Sequence, residues 1–220
     1  MELLQYLIDI VMHLDKHLNL LVDQYGTMSY LLLFLVIFCE TGLVVTPFLP
    51  GDSLLFMIGA LSAENVFQLG YIWPLLILAS ILGDNTNYHI GKYIGPKIFQ
   101  RDDVRFLNKK HLQKTHEFYD KYGGITVIIA RFAPILRTFS PFVAGIGRMR
   151  YITFLSYSIL GGTAWVSLFV LGGYFFGNIP FVQNNFTVVI FAIIIISLMP
   201  SIIAVIKGRK GKAVTNEQCE

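Results

Sequence analysis

The sequence predicts an all-α polytopic membrane protein, an inverted repeat of two opposed re-entrant helical hairpins plus spanning helices. Three observations predict it. Of the 220 residues, 55% are hydrophobic and 14% charged, with mean hydropathy +0.62, where a soluble domain carries about 25% charge. The apolar stretch Phe38 to Ala60 is broken by Pro47, Pro50 and Gly51 and holds two acids, Glu40 and Asp52. That stretch has an echo 91 positions on, in Ala130 to Gly147, where Glu40 lands on Arg131, Thr46 on Arg137, Phe48 on Phe139 and Pro50 on Pro141. One broken helix is thus acidic and the other basic. A second set of matches surrounds the first: Ser80-Ile-Leu-Gly83 with Ser158-Ile-Leu-Gly161, and Gly91 and Gly95 with Gly173 and Gly177.

Taken in order, residues 1–24 form an N-terminal helix. Asp9, His13, Lys16 and His17 fall loosely on one side of it, so it either lies in the interface or crosses as a poor span. The same charges leave no basic start or cleavage site, and no cleavable signal peptide is expected. The first repeat occupies 25–95. In it Met28 to Val45 descends, the chain breaks at the prolines, and Ser53 to Leu61 returns. Tyr71 to Gly95 then spans the membrane, ended by Gly95-Pro96. Its polar and small residues Ser80, Asp84, Asn87, Gly91 and Gly95 share one face. A packing face explains the glycines; it does not need an acid, which marks Asp84 as a possible accessory group.

Residues 96–122 read as a cytoplasmic amphipathic segment, with seven Lys/Arg against four acids from Lys97 to Tyr122 and apolar residues at helical spacing. The second repeat is 123–177. Its first apolar run, Ile125 to Leu136, makes about 18 Å of helix, too short for a core of about 30 Å. Pro141 is expected to turn it back towards Arg148 and Arg150, giving a re-entrant hairpin. Tyr151 to Gly177 spans, residues 178–206 supply a C-terminal transmembrane helix, and 207–220 form a basic tail. The positive-inside rule puts the 97–122 loop, the Arg148/Arg150 corner and the C-terminus in the cytoplasm. The two hairpins then enter from opposite faces and bring Glu40, Asp52, Arg131 and Arg137 towards the midplane.

Charges inside a membrane are costly and face protein or a water-filled cavity, and unwound backbone there has the same requirement. One reading is purely architectural, a pair of buried ion pairs that fix the hairpins together. Inverted broken helices with midplane ionisable groups point instead to the substrate or ion site of a secondary transporter. An acid in an apolar site can take up and release a proton near neutral pH; arginines match phosphate or carboxylate oxygens with two parallel hydrogen bonds. Proton-linked movement of an anionic substrate is the chemistry these residues suggest. Gly51-Asp52 and Gly83-Asp84 superficially resemble intramembrane aspartyl proteases, but the usual GxGD pattern is absent. No Ser-His or Cys-His set, nucleotide loop or metal helix is present, and Cys39 and Cys219 offer no disulfide framework. No enzyme activity, cofactor, metal or nucleic-acid partner is expected.

The run ETGLVVTPFLPGDSLLF, the segment GDNTNYHIGKYIG, and ARFAPILRTFSPFVAGIGRM before an aromatic-rich helix closely resemble the bacterial DedA family. That family shares its re-entrant domain with the eukaryotic VTT (SNARE-associated) lipid scramblases, and the resemblance covers nearly the whole chain. It implies an inner-membrane location with a cytoplasmic C-terminus. It also implies function that depends on the proton-motive force and, for several members, translocation of undecaprenyl phosphate or other phospholipids. The family's functional residues fall on Glu40 and Asp52, the proton-coupling acids, and on Arg131 and Arg137, the phosphate-binding arginines. Many relatives carry Glu where this chain has Asp52. The expected function is return of a polyprenyl-phosphate lipid to the cytoplasmic leaflet. The alternative is a proton-coupled exporter of small cations or drugs using the same acids. A non-transporting scaffold is a third class.

Overall fold

The computed structural model describes residues 24–43, 51–99, 126–128, 130–131 and 133–177, with isolated positions at 22 and between 179 and 193. The expected N-terminal helix, the Pro47/Pro50 break, the amphipathic segment, the C-terminal helix and the basic tail lie outside the described residues or almost wholly so. Among those described there is no strand. Five helices organise them: α1 (Met28–Gly42), α2 (Gly51–Ala63), α3 (Leu69–Phe99), α4 (Pro134–Ile146) and α5 (Tyr151–Phe176).

α1 and α2 are short and apolar, as expected of two arms about a break. α1 buries Ser29, Leu33, Ile37, Glu40 and Thr41 along one stripe, while Met28, Leu31, Leu32 and Leu35 on its other side are exposed. A helix apolar on both sides, with one of them uncovered, suits a lipid surround. α2 is buried along nearly its whole length. α3, at 31 residues, is about 46 Å long. It runs on past Gly95-Pro96 to Phe99, where the sequence predicts a stop. Proline removes one N–H bond to the preceding turn, and this helix continues through that loss. α5 ends where expected, with Gly177 as its cap, and by length and composition can cross a membrane.

The second broken segment departs from expectation. Pro141 lies inside α4 and does not turn the chain; the break comes earlier, at Arg131 to Ala133, with Pro134 opening α4. Proline costs nothing in the first turn, where its missing N–H would have no partner. The expected turn at Pro141 is therefore not found; its sequence match, Pro50, lies outside the described residues.

Close backbone crossings decide how the elements pack. α2 lies on α5, where a Cβ on Gly59 would overlap the Val170 carbonyl and one on Gly173 the Phe56 carbonyl. α4 lies on α3 in the same manner, with Gly145 against the Tyr88 carbonyl and Gly91 against that of Phe142. α1 packs on α3, with Gly42 and Gly83 backbone to backbone, and the 126–131 segment packs on α5 beside Gly161. α2 thus sits on α5 and α4 on α3, while α1 sits on α3 and the 126–131 segment on α5. Small residues permit such approach between apolar helices. A large apolar cluster joins α1, α2 and the start of α3 to the second half of α5. A smaller one, around Tyr88, Phe154 and Met149, holds α4 to α3 and α5.

Candidate functional site

Glu40 sits on the last turn of α1, Asp52 on the first turn of α2, and Arg137 on the first turn of α4. The three converge. Arg137 Nη2 donates to Glu40 Oε1 at 2.5 Å and Nη1 donates to Asp52 Oδ1 at 2.6 Å. Gly51 is where this becomes possible, because any Cβ there would overlap the Glu40 carboxylate. The indole of Trp165 on α5 closes the group. Its Nε1–H donates to Asp52 Oδ1 at 2.9 Å, and its ring lies 4.4 Å from the Arg137 guanidinium carbon. Glu40, Arg137 and Trp165 are sealed from outside, while Asp52 keeps a small exposure. A guanidinium over an indole face adds attraction of about 2 kcal/mol when desolvated.

Arg131 is elsewhere. It pairs with Asp84 of α3, donates from Nη1 to Ser80 Oγ at 2.7 Å, and from Nη2 to Ser158 Oγ at 3.2 Å. Ser158 donates in turn to Asp84 Oδ2 at 2.6 Å. Gly161 and Gly162 make the space, since Cβ atoms there would press on the Arg131 side chain at 3.0 and 3.2 Å. The four charges expected together therefore form two sites: a trio of two acids with one arginine, and a pair of one acid with one arginine. Asp84, expected as an accessory, is the counter-ion of Arg131. Pro50 lies outside the described residues, and Pro141 makes no polar contact with either site.

Between the two sites stands Asn87. Its Nδ2 donates to the carbonyls of Thr41, at 3.2 Å, and Thr138, at 2.7 Å. It thereby ties the end of α1 to the start of α4, the two turns that carry Glu40 and Arg137. Sequence reasoning placed Asn87 on the polar face of α3 but gave it no task. It missed Trp165, although a buried indole needs a partner for its N–H; the carboxylate at Asp52 was the partner to look for. Among the described residues, no group of three or more His, Cys, Asp or Glu is placed to hold a metal ion.

Chemically, the trio is unbalanced. Two carboxylates share one guanidinium in a sealed apolar setting, where an uncompensated charge costs several kcal/mol. One proton restores balance. The Arg131–Asp84 pair needs none.

Comparison with known proteins agrees with the motifs. Residues 49–175 match the model of the VTT domain. The chain is 48% identical to Protein DedA of Escherichia coli K12, over 97% of this chain and 98% of that protein. It is 45% identical to an uncharacterised membrane protein of Mycobacterium tuberculosis H37Rv, over 78% of this chain and 76% of that protein. Inner membrane protein YqjA of Escherichia coli K12 is 31% identical, with 70% of each chain covered. No solved structure matches.

Proposed function

The chain belongs to the VTT-domain (DedA) family, and on that premise we propose that it is a multi-pass inner-membrane transporter that flips a phosphate-bearing lipid. Undecaprenyl phosphate is the proposed cargo and the proton gradient the proposed drive. Its two halves are read as inverted repeats, each with a re-entrant hairpin that meets the other near the midplane. The reciprocal packing of α2 on α5 and of α4 on α3 supports that reading.

One observation carries the mechanism: Arg137 divides its two terminal nitrogens between Glu40 and Asp52. A guanidinium offers the same fork to phosphate oxygens. When a lipid phosphate takes Arg137, the two acids lose their counter-charge. Ionised carboxylates stranded in an apolar site are strongly disfavoured, so they take up protons. When the phosphate leaves, the acids recapture Arg137 and release them. Phosphate binding and protonation are thereby coupled: the phosphate-bound state of the site is the protonated one. Trp165 holds Asp52 and faces Arg137 in the carboxylate-bound state. Arg131, already matched by Asp84 and two serines, keeps α3, α5 and the second hairpin in register, a positioning role rather than the phosphate contact that resemblance assigns it.

Flux of labelled undecaprenyl phosphate through vesicles containing the purified chain tests this. Transport that accelerates with an imposed pH gradient is expected; flux equal to that of protein-free vesicles would overturn the proposal. The excess of acids at the trio favours one other reading, proton-coupled export of a small cation that occupies the place of the balancing proton. There Glu40 and Asp52 bind the cargo, so Glu40→Gln abolishes binding where the lipid reading retains it.

A further inference from the structure

Two helices in this molecule end in the same six-residue cap, and one of them does so with an unsuitable residue. After α2, Asn65 N–H bonds Ser62 O at 3.2 Å and Val66 N–H bonds Leu61 O at 3.0 Å, with Asn65 at φ 63°. After α4, Arg148 N–H bonds Gly145 O and Met149 N–H bonds Ala144 O, both at 3.1 Å, with Arg148 at φ 51°. The position between the two bonds is left-handed and normally taken by glycine, sometimes by asparagine. Arginine has no local reason to be there, and a strained position that persists points to a task for its side chain.

The surroundings name the task. Arg148 lines a cavity of about 390 Å³ together with Lys92 of α3 and Arg150, over a floor of Tyr88 and Met149. That volume lies in the range of small-ligand sites, about 300–1,000 Å³. Among the described residues, no carboxylate lines it. All three cations are exposed, and among the described residues none of them has an ion pair. The floor is rigid: the Tyr88 hydroxyl donates to the Met149 carbonyl at 2.5 Å, and the Tyr88 and Phe154 rings stack at 4.5 Å. Tyr151, on the rim, meets His89 at 5.5 Å. His89 opens onto a second, larger space of about 660 Å³ that runs along α3 past Ile90, Tyr93 and Ile94. Tyr93, in the lining of the larger space, and Ile152, next in the chain to Tyr151, are 68% and 79% exposed. A basic cup thus adjoins an apolar groove.

We propose that this corner is a second, peripheral lipid site, in which Lys92, Arg148 and Arg150 hold a phosphate headgroup while its hydrocarbon chain lies in the groove along α3. The inference rests on the reading of the chain as a phosphate-lipid transporter, and gives it a station at the end where the positive-inside rule puts the cytoplasm. Gly145, whose backbone meets that of Lys92, is eight residues beyond Arg137 on α4, about 12 Å along the axis, so the station stands apart from the Arg137 site. A free phosphate would use the cup but not the groove; a lipid uses both.

The full chain in phosphatidylcholine nanodiscs is illuminated with an alkyl phosphate that carries a diazirine on the first carbons of its chain, and labelled peptides are mapped. Label is expected at Tyr151–Ile152 or Tyr93, reduced at least tenfold in Lys92→Gln/Arg150→Gln and retained in Arg137→Lys. The exposed pair tolerates glutamine, and Lys92→Arg/Arg150→Lys should restore the label. Label at this corner that is unchanged in the glutamine variant would overturn the proposal, as would label confined to the surroundings of Arg137, an outcome that leaves the transport reading intact. Inorganic phosphate that competes as strongly as unlabelled alkyl phosphate would make the corner an anion site and overturn its lipid occupant. Absence of specific label anywhere in the wild type would defeat the transport reading itself.

Discussion

Arg131 and Arg137 belong to the same broken segment and are both buried, yet their surroundings differ in one respect, on which the proposal that they have different roles rests. Arg131 meets one carboxylate and two hydroxyls, and its charge is matched. Arg137 meets two carboxylates and an indole, and the charge around it is not. A matched buried pair has one low-energy arrangement and holds elements together. An unmatched trio has at least two, separated by a proton, and so can do work. On the proposed mechanism, burial and residue type do not separate a positioning arginine from a phosphate-binding one; the number of carboxylates around it does.

The comparison breaks most visibly on the matched side. Arg131→Ala leaves Asp84 buried without its counter-charge, a loss of about 3–5 kcal/mol. It should appear as a sharply lower melting temperature in detergent and poor recovery of folded protein. Replacing both members with apolar residues of similar volume, Arg131→Met with Asp84→Leu, should recover most of that stability. A double variant no more stable than Arg131→Ala alone would mean that Arg131 does more than balance a charge.

On the unmatched side the effect should fall on transport before stability. Arg137→Lys keeps the charge but cannot present two separated donors in a fork. Folded protein with flux reduced at least tenfold is expected, and undiminished lipid binding in that variant would contradict the phosphate role. Glu40→Gln should act more gently. It removes one of the two acids, so lipid still binds, while acceleration by a pH gradient, measured in the vesicle flux assay, is reduced; in Glu40→Gln/Asp52→Asn it disappears.

The smallest effects test single hydrogen bonds. Ser158→Ala removes one of the two hydroxyl contacts to Arg131, and Trp165→Phe removes the N–H to Asp52 while leaving a ring over Arg137. Each should cost about 1 kcal/mol, Ser158→Ala in melting temperature and Trp165→Phe in flux. A reversed assignment would exchange the roles given to the two sites.

Much of this was legible in the sequence. Composition and the broken apolar runs point to the helices, and ion economy in an apolar setting singles out Glu40, Asp52, Asp84, Arg131 and Arg137. The match of Ser80-Ile-Leu-Gly83 with Ser158-Ile-Leu-Gly161 has a physical counterpart, since both serines end on Arg131. What the sequence hides is which charge meets which. A register of 91 sets Glu40 opposite Arg131 and treats Pro50 and Pro141 as the same turn. In the fold Pro141 is helical, because Pro134 already supplies the helix start, and the arms are offset from the sequence match. Asp84 then takes Arg131, and both hairpin acids go to Arg137. Trp165 stayed hidden because an indole within an aromatic-rich helix looks like one more packing residue until its N–H partner is placed in three dimensions.

The central claim is that lipid phosphate and the two acids exchange Arg137 and that the exchange moves protons. It is tested most directly by the protons themselves. Purified chain in lightly buffered detergent with a pH-sensitive dye is mixed with undecaprenyl phosphate, and the pH change is compared with that of Glu40→Gln/Asp52→Asn. Net proton uptake by the wild type, saturating with lipid binding and absent from the double variant while binding persists, is the predicted result. Binding without proton uptake, or equal uptake in both proteins, would contradict it.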